Sequence, residues 1–166
     1  HSDRRQRQMC IRDRVNSMKT ETKLVHFSEG IELESGEKLN SFDLMLETYG
    51  ELNEGKSNAV LLCHAFSGNH HAAGSSEDFG TGWWDQLVGP GKSIDTNKYF
   101  IVCCNNLGGC AGSSGPSSIN PSSQKIFGKS FPQVSVLDWV NSQKMLMDKL
   151  NIEYWHFVAG GSLGGM

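Results

Sequence analysis

Three short, continuous apolar runs constrain the fold of this 166-residue chain more than any other feature. They occupy residues 59–63, 99–104 and 154–159. A run of five or six apolar residues bounded by turn-forming residues is typical of a strand buried on both faces of a parallel sheet. Between the second and third runs, Ser135 is a predicted N-cap with Asp138 as the capping-box acid. Large residues follow at helical spacing, at Val136, Trp139, Val140, Leu146, Met147 and Leu150.

The remaining segments complete an α/β pattern. Residues 30–49 are predicted to form a hairpin, with a strand at 31–34, a turn at 35–38 and a second strand at 42–49. A shorter helix is predicted around 83–88. Strands that alternate with helices imply crossover connections and a parallel sheet, so the fold class is α/β. Two long loops rich in Gly, Ser and Asn, 64–82 and 105–134, follow core strands at the sheet edge where ligands bind in such folds.

The amino-terminal tail differs in composition from the rest of the chain. Residues 1–14 contain five Arg and two Asp, a balance of +3, so the remainder of a chain of net charge −3 carries −6 and uses ten Lys and no Arg. We interpret residues 1–17 as a non-native or disordered tail and 18–166 as a partial domain, with a basic arm for nucleic acid as the alternative. The tail lacks the apolar stretch of a secretory signal. No apolar run reaches the roughly 18 residues of a membrane span.

The end of the third apolar run carries a nucleophile motif. Residues 160–166 read GGSLGGM, which contains the pattern G-x-S-x-G directly after a predicted strand. This pattern is typical of a strand-to-helix turn that exposes a serine, here Ser162, and glycines on both sides relieve crowding at that turn. A glycine-rich turn with an idle serine is the alternative interpretation. Ser162 is therefore the candidate nucleophile.

The loop after the first apolar run is a candidate oxyanion hole. In folds with this motif, one backbone N–H comes from the loop after that strand and the other from the residue after the nucleophile. The predicted donors are Phe66 and Leu163. The general base follows the nucleophile in chain order, so His64, His70 and His71 are not predicted to act as base. We expect His64 to make a structural hydrogen bond, and no metal site, because no Cys or acidic residue has ligand spacing with these histidines.

The cysteines and the second long loop allow further expectations. Cys63, Cys103 and Cys104 lie in apolar runs and are expected to be buried free thiols, which favours a reducing cytoplasm. Cys110 lies in a Gly/Ser loop, where it is either a reactive thiol or a small space-filling residue. The loop 105–118 lacks the G-x-G-x-x-G pattern, so a dinucleotide site is not predicted. It is either a flexible loop or a wall of the active-site entrance.

Several longer strings make the chain resemble the homoserine O-acyltransferases of methionine biosynthesis. The strings are ETYG at 47–50, HAFSG at 64–68, GWWD at 82–85, GPGK at 89–92, the loop 105–118 and GGSLGGM at 160–166. The resemblance runs from about residue 25 to residue 166. It implies the amino-terminal half of an α/β-hydrolase fold that ends at the nucleophile elbow, with the catalytic Asp and His, a substrate-binding Arg and a helical lid beyond Met166.

The same resemblance implies the chemistry. Ser162 would take an acyl group from acetyl-CoA or succinyl-CoA and pass it to the hydroxyl of L-homoserine, with Leu163 and Phe66 as oxyanion donors and no permanently bound cofactor. Many relatives have Leu-Thr in place of Phe66-Ser67, a change that keeps the backbone donor. The His-rich stretch at 69–74 and the string at 105–109 look like proteobacterial members, many of which use succinyl-CoA. A cytoplasmic homodimer without nucleic-acid or membrane partners is implied for the full-length enzyme.

Two alternatives remain at this stage. One is another enzyme of the same fold, such as an esterase or thioesterase. The other is a non-catalytic, truncated protein that acts as a binding module. We expect the 166 residues alone to be inactive, because a serine without its base gains little nucleophilicity. We also expect them to aggregate through the open edge of the last strand.

Overall fold

A single mixed sheet organises the chain in the computed structural model, which describes residues 18–166. The predictions about residues 1–17 lie outside the described residues. The strands, numbered along the chain, are β1 (Thr20–Phe27), β2 (Ile31–Glu32), β3 (Lys38–Leu39), β4 (Phe42–Tyr49), β5 (Ala59–Cys63), β6 (Ser75–Ser76), β7 (Gly80–Thr81), β8 (Val88–Gly89), β9 (Ile94–Asp95), β10 (Phe100–Cys104), β11 (Ile119–Asn120), β12 (Lys125–Ile126) and β13 (Phe157–Gly160). The α-helix is α1 (Val136–Lys149), and 3₁₀ turns occupy Gly128–Ser130 and Ser162–Gly165.

The main sheet has the order β1-β4-β10-β5-β13. The strands β10, β5 and β13 run parallel, and Val60 of β5 lies opposite both Ile101 and Phe157. The strand β4 pairs antiparallel with β10 on one side and with β1 on the other. The three parallel strands therefore end at the same edge, and the α/β prediction with its parallel core is confirmed.

Two apolar clusters pack on the two faces of this sheet. One contains Val102 and Cys104 with Leu146 of α1, and the other contains Ile101 and Cys103 with Val60. Neighbouring residues of β10 thus enter opposite clusters, as the alternation of side chains along a strand requires. Burial on both faces accounts for the apolar runs of β5 and β10. The same prediction is wrong for the third run, because β13 lies at the edge of the sheet and Val158 is 55% exposed.

The three predicted core strands are present, with β13 shorter than expected because it starts at Phe157. The helix is also confirmed. The Ser135 side chain accepts the Asp138 N–H (3.1 Å), and the Asp138 carboxylate accepts the Ser135 N–H (2.8 Å), which completes the capping box. The predicted apolar stripe is only partly buried, since Val136 and Val140 are 55% and 52% exposed.

The buried side of the first half of α1 is polar instead. Asp138, Ser142 and Gln143 face inwards. The Asp138 carboxylate also accepts the N–H of Glu34 (3.0 Å), and the Gln143 amide lies 3.5 Å from the Asn106 side-chain oxygen. This half of the helix therefore contacts loops through hydrogen bonds, whereas Leu146 further along joins the apolar core.

Two other predictions need correction. The hairpin at 30–49 exists only as the short pair β2–β3, while β4 pairs with β1, a strand that was not predicted. The segment 83–88 is not a helix. The N–H groups of Leu87 and Val88 both reach the carbonyl of Trp84, which makes one turn, and Val88 then pairs with Ile94 in a short parallel ladder. Pro90, which has no N–H, follows directly and cannot extend a helix.

Candidate functional site

The turn after β13 has the geometry of a nucleophile elbow. Gly161 is extended (φ −120°, ψ 146°), and Ser162 then takes φ +56° and starts a 3₁₀ turn. A positive φ is uncommon outside glycine and marks local backbone strain. The Ser162 residue is exposed at the carboxyl edge of the parallel strands. The prediction that the motif forms a strand-to-helix elbow is confirmed.

The glycines of the motif are required by close approaches between backbones. A Cβ atom on Gly160 would lie 2.1 Å from the Gly164 carbonyl oxygen, and one on Gly164 would lie 2.2 Å from the Cys63 oxygen. A Cβ on Gly164 would also lie 2.6 Å from the His64 oxygen. The elbow therefore packs directly against the end of β5, where the loop with the candidate oxyanion donor begins.

The two candidate donors lie in segments at this edge. Leu163 follows Ser162 in the 3₁₀ turn and is half-buried. Phe66 lies three residues after the end of β5, and its residue is 86% exposed. The Gly68 N–H closes a turn on the Ala65 carbonyl (2.8 Å), which leaves Phe66 at the tip. The catalytic roles of Ser162, Leu163 and Phe66 stay predictions.

His64 connects the two long loops. Its Nε2 accepts the Asn106 N–H (3.1 Å), so the proton is on Nδ1, which donates to the Ala65 carbonyl (2.7 Å). The ring is buried, with 3% exposure. The expected structural hydrogen bond at the strand end is therefore present.

The neighbouring histidines differ from one another. The His71 Nδ1 lies 2.9 Å from Glu47 Oε2, and its Nε2 lies 3.1 Å from the Gly80 carbonyl oxygen. His70 is also buried, packs edge-on against Phe79, and has an Nδ1 atom without a hydrogen-bond partner. Among residues 18–166, no three His, Cys, Asp or Glu side chains are grouped so as to hold a metal ion.

The loop 105–118 is an ordered wall rather than a flexible loop. The Asn105 side-chain oxygen accepts the Ala111 N–H (3.1 Å), and the Ser113 and Ser114 hydroxyls accept the N–H groups of Met45 and Asp43. Trp139 of α1 donates from its indole to the Leu107 carbonyl (2.8 Å). These bonds favour the wall over the flexible loop, and the position of this wall at an active-site entrance stays a prediction.

A cavity of about 710 Å³ lies between this loop and the loop after β5. Phe66, Phe131 and Trp139 supply apolar surface, while His64 and Asn106 supply polar groups. Ser162 is not among the lining residues, so the cavity lies beside the candidate oxyanion donor and not over the nucleophile. The sequence predicted this edge as the ligand side of the sheet, and the cavity agrees with that position.

The four cysteines in the described range are free thiols. Cys103 and Cys104 are buried, and burial raises the pKa of both thiols, that of Cys104 to about 12. Burial also raises the pKa of the half-buried Cys63. Cys110 is exposed and lines the cavity. No helix within residues 18–166 is both long and apolar enough to cross a membrane.

We expect stability to fall as the pH drops below about 6.5, the ordinary histidine pKa. Burial lowers the pKa of His64, partly opposed by the bond to Ala65, and burial together with the neighbouring His71 and His64 lowers the pKa of His70. Below pH 6.5 the unfolded chain therefore binds protons that the folded chain does not, so the free energy of unfolding decreases towards the lower, folded-state pKa values.

Urea unfolding at pH 7.5, 6.5 and 5.5 of the protein expressed from its complete reading frame measures this effect. His64→Gln, which keeps an acceptor for Asn106 but does not titrate, should weaken the pH dependence. The matched control His156→Gln replaces an exposed histidine that forms no ion pair within residues 18–166, and it should leave the pH dependence unchanged. If the unfolding midpoint of the His64→Gln variant depends on pH as strongly as that of the wild type, the assignment of this effect to His64 is wrong.

The fold and the elbow define the class of protein. A family model described as alpha/beta hydrolase fold matches residues 58–166, which is more than half of the chain. The chain therefore belongs to the alpha/beta-hydrolase family. The match begins just before β5 and extends through the elbow.

Comparisons with individual proteins indicate which members of the family this chain resembles. The homoserine O-succinyltransferase of Hahella chejuensis is 63% identical over 145 residues, which cover 86% of this chain and 38% of the relative. The crystal structure of homoserine O-acetyltransferase from Bacillus anthracis superposes with a TM-score of 0.76 at 37% identity, over 89% of this chain and 40% of that one. The crystal structure of an esterase gives a TM-score of 0.80 at 35% identity, over 88% and 42%. The resemblance to homoserine O-acyltransferases is confirmed, and the chain spans 38% of the length of the Hahella relative.

Proposed function

We propose that the protein is a homoserine O-acyltransferase that moves an acyl group from acyl-CoA to the hydroxyl of L-homoserine through Ser162. The observation that carries this proposal is the 63% identity to a protein named homoserine O-succinyltransferase. The elbow geometry of Ser162 supports the covalent route, because such turns present a serine to an acyl carbon.

In the proposed reaction, Ser162 Oγ attacks the thioester carbonyl and loses its proton to a general base. The C–S bond then breaks, CoA leaves as the thiol after taking up a proton, and the acyl group remains on Oγ as an ester. The homoserine hydroxyl attacks this ester, releases Ser162 and forms O-acylhomoserine. The N–H groups of Leu163 and Phe66 stabilise the oxyanion in both steps.

None of the histidine rings in the described range hydrogen-bonds to Ser162. His64 and His71 make other contacts, and His70 is buried. We therefore assign none of the described histidines the role of general base.

We propose succinyl-CoA as the donor over acetyl-CoA. The relative named for succinyl transfer is 63% identical, whereas the structure named for acetyl transfer is 37% identical. The use of a CoA thioester, the lack of a permanently bound cofactor, the homodimer and a cytoplasmic location belong to the same proposal. The four free thiols among residues 18–166 suit the reducing conditions of that compartment.

An ester hydrolase is the second candidate function. The observation that favours it is the TM-score of 0.80 to the crystal structure of an esterase. Both candidates require an acyl-serine, so they differ only in the acceptor that removes the acyl group.

The test uses the protein expressed from its complete reading frame, with L-homoserine and either succinyl-CoA or acetyl-CoA. We expect O-succinylhomoserine, detected by mass spectrometry, together with stoichiometric release of CoA thiol. Equal release of thiol with and without homoserine would indicate hydrolysis and favour the esterase. Acetyl transfer at a higher kcat/KM than succinyl transfer would overturn the choice of donor.

A further inference from the structure

We propose that Glu47, Tyr49 and His71 are positioning residues that hold both the β5 loop, defined as residues 64–74, and the turn that carries Ser162. The inference rests on the proposed acyl transfer, because it assigns these side chains a role in forming the acyl-serine. None of the three touches the reacting atoms, and they act through the backbone that they fix.

The first contact is a buried pair of ionisable side chains. The His71 and Glu47 side chains are 4% and 6% exposed and lie 2.9 Å apart. Both His71 nitrogens lie within hydrogen-bond distance of an oxygen, Nδ1 of the Glu47 carboxylate and Nε2 of the Gly80 carbonyl, so the ring is held from both sides. A buried ion pair adds little net stability compared with apolar residues of the same volume. Its presence at this position is better explained by the fixed loop geometry that it imposes.

The second contact comes from the same face of β4, two residues along. The Tyr49 hydroxyl oxygen accepts the N–H groups of Ala72 (2.7 Å) and Ala73 (3.0 Å), and the side chain is fully buried. Burial raises the pKa of the Tyr49 phenol well above its ordinary value, so the group stays neutral. The strand β4 thus holds three consecutive residues of the loop, 71–73, by side-chain contacts.

Hydrogen bonds made by Asn69 extend this restraint along the β5 loop towards Phe66. The Asn69 side-chain oxygen accepts the His71 N–H (2.8 Å), and the Asn69 carbonyl accepts the Trp83 indole N–H (3.0 Å). The opposite end of the loop is fixed by His64. Phe66 therefore lies at the tip of a segment that is anchored at both ends.

A second set of contacts, made by Trp84, extends from the β5 loop to the elbow. The Trp84 N–H donates to the Ala72 carbonyl (2.8 Å), directly beside the Tyr49 contacts. The Cζ2 atom of Trp84 lies 3.6 Å from the position that a Cβ atom on Gly161 would take. Because Gly161 precedes Ser162, the half-buried Trp84 connects the β5 loop contacts with the segment that leads to the nucleophile.

The strand β4 also offers a matched control. Asp43 pairs with His26 at 2.7 Å, again through a carboxylate and Nδ1, but these side chains are 37% and 61% exposed. The pair lies four residues from Glu47, far along the strand from the β5 loop contacts. It therefore reproduces the chemistry of the buried pair without the connection to the loop.

The experiment compares Glu47→Gln, Tyr49→Phe and Trp84→Phe with the control Asp43→Asn, all in the protein expressed from its complete reading frame. The burst of p-nitrophenolate from p-nitrophenyl acetate reports acylation of the serine without involving homoserine. We expect the first three variants to lower the acylation rate constant by about 10- to 100-fold, since a misplacement of about 1 Å can cost about 100-fold. The kcat/KM for homoserine should change less than about twofold, because this ratio reports only the reaction of homoserine with the acyl-serine that has already formed. Asp43→Asn should acylate at the wild-type rate.

Other outcomes count against the inference, against the proposed function or against both. Wild-type acylation rates in Glu47→Gln and Tyr49→Phe proteins with native near-ultraviolet circular dichroism would overturn it. If those two variants do not fold, Trp84→Phe, at a half-buried position, decides by the same criterion. A wild-type protein that shows the burst but does not acylate homoserine refutes the proposed function alone. A wild-type protein that releases no p-nitrophenolate and forms no O-acylhomoserine refutes both.

Discussion

Replacing Ser162 by alanine is expected to abolish acyl transfer, with a loss of at least about 10⁴-fold in kcat. The hydroxyl is the only group that could carry the acyl intermediate at the elbow, and alanine removes it without changing the backbone. The residue is exposed, so the free energy of unfolding should change by less than about 0.5 kcal/mol. The measurements are acyl transfer to homoserine and mass spectrometry of the intact protein after incubation with acyl-CoA.

The intact mass should show one added acyl group in the wild type and none in the variant. Ser117→Ala is the control, since Ser117 is an exposed serine in the loop 105–118. It should retain activity and the added mass. An acyl adduct that persists in Ser162→Ala would show that another residue is the nucleophile.

Replacing Gly164 by alanine is expected to have the second large effect. The new Cβ atom would lie 2.2 Å from the Cys63 carbonyl oxygen and 2.6 Å from that of His64, so the elbow must move away from β5. Overpacking of this kind costs about 1–3 kcal/mol of stability. The same shift would separate the N–H of Leu163 from that of Phe66, and we expect at least about a 100-fold loss in the rate of serine acylation.

Gly55→Ala controls for the loss of glycine itself. Gly55 also has no positive φ, and the nearest atom to its Cβ position is the Ser57 hydroxyl oxygen at 3.8 Å. The Gly55→Ala protein should match the wild type in its stability, measured by urea unfolding, and in its burst rate. A Gly164→Ala protein that acylates as fast as Gly55→Ala would refute the close packing of the elbow on β5.

The parts of the fold that the sequence predicted correctly are those whose signal is local and strong. The strands β5 and β10 are buried on both faces, so their residues are continuously apolar. The helix α1 begins at a capping box that lies within four residues. Both patterns can be recognised without knowledge of what packs against them.

The errors occur where tertiary contacts override local preference. The strand β1 is an exposed edge strand, with Leu24 56% exposed, and it is defined by its eight-residue pairing with β4 and not by an apolar pattern. The segment after Trp83 begins like a helix but stops after one turn, because Val88 pairs with Ile94. The first half of α1 buries polar residues, which an apolar stripe cannot indicate.

The candidate site likewise contains a part that the sequence could predict and a part that it could not. Ser162 and its glycines could be predicted because the elbow is encoded in consecutive residues. The contact between Glu47 and His71 could not, since the two residues are 24 positions apart and join only when β4 lies beneath the loop. The string ETYG at 47–50 pointed to this strand through the family resemblance, but it gave no indication of what the side chains contact.

The hydrogen bond between His64 and Asn106 has a consequence for how ligands enter. It joins the two loops on either side of the cavity, so one loop cannot swing out while the other keeps its place without breaking that bond. A ligand that enters the cavity therefore meets two walls that are held together near their bases, at His64 and Asn106.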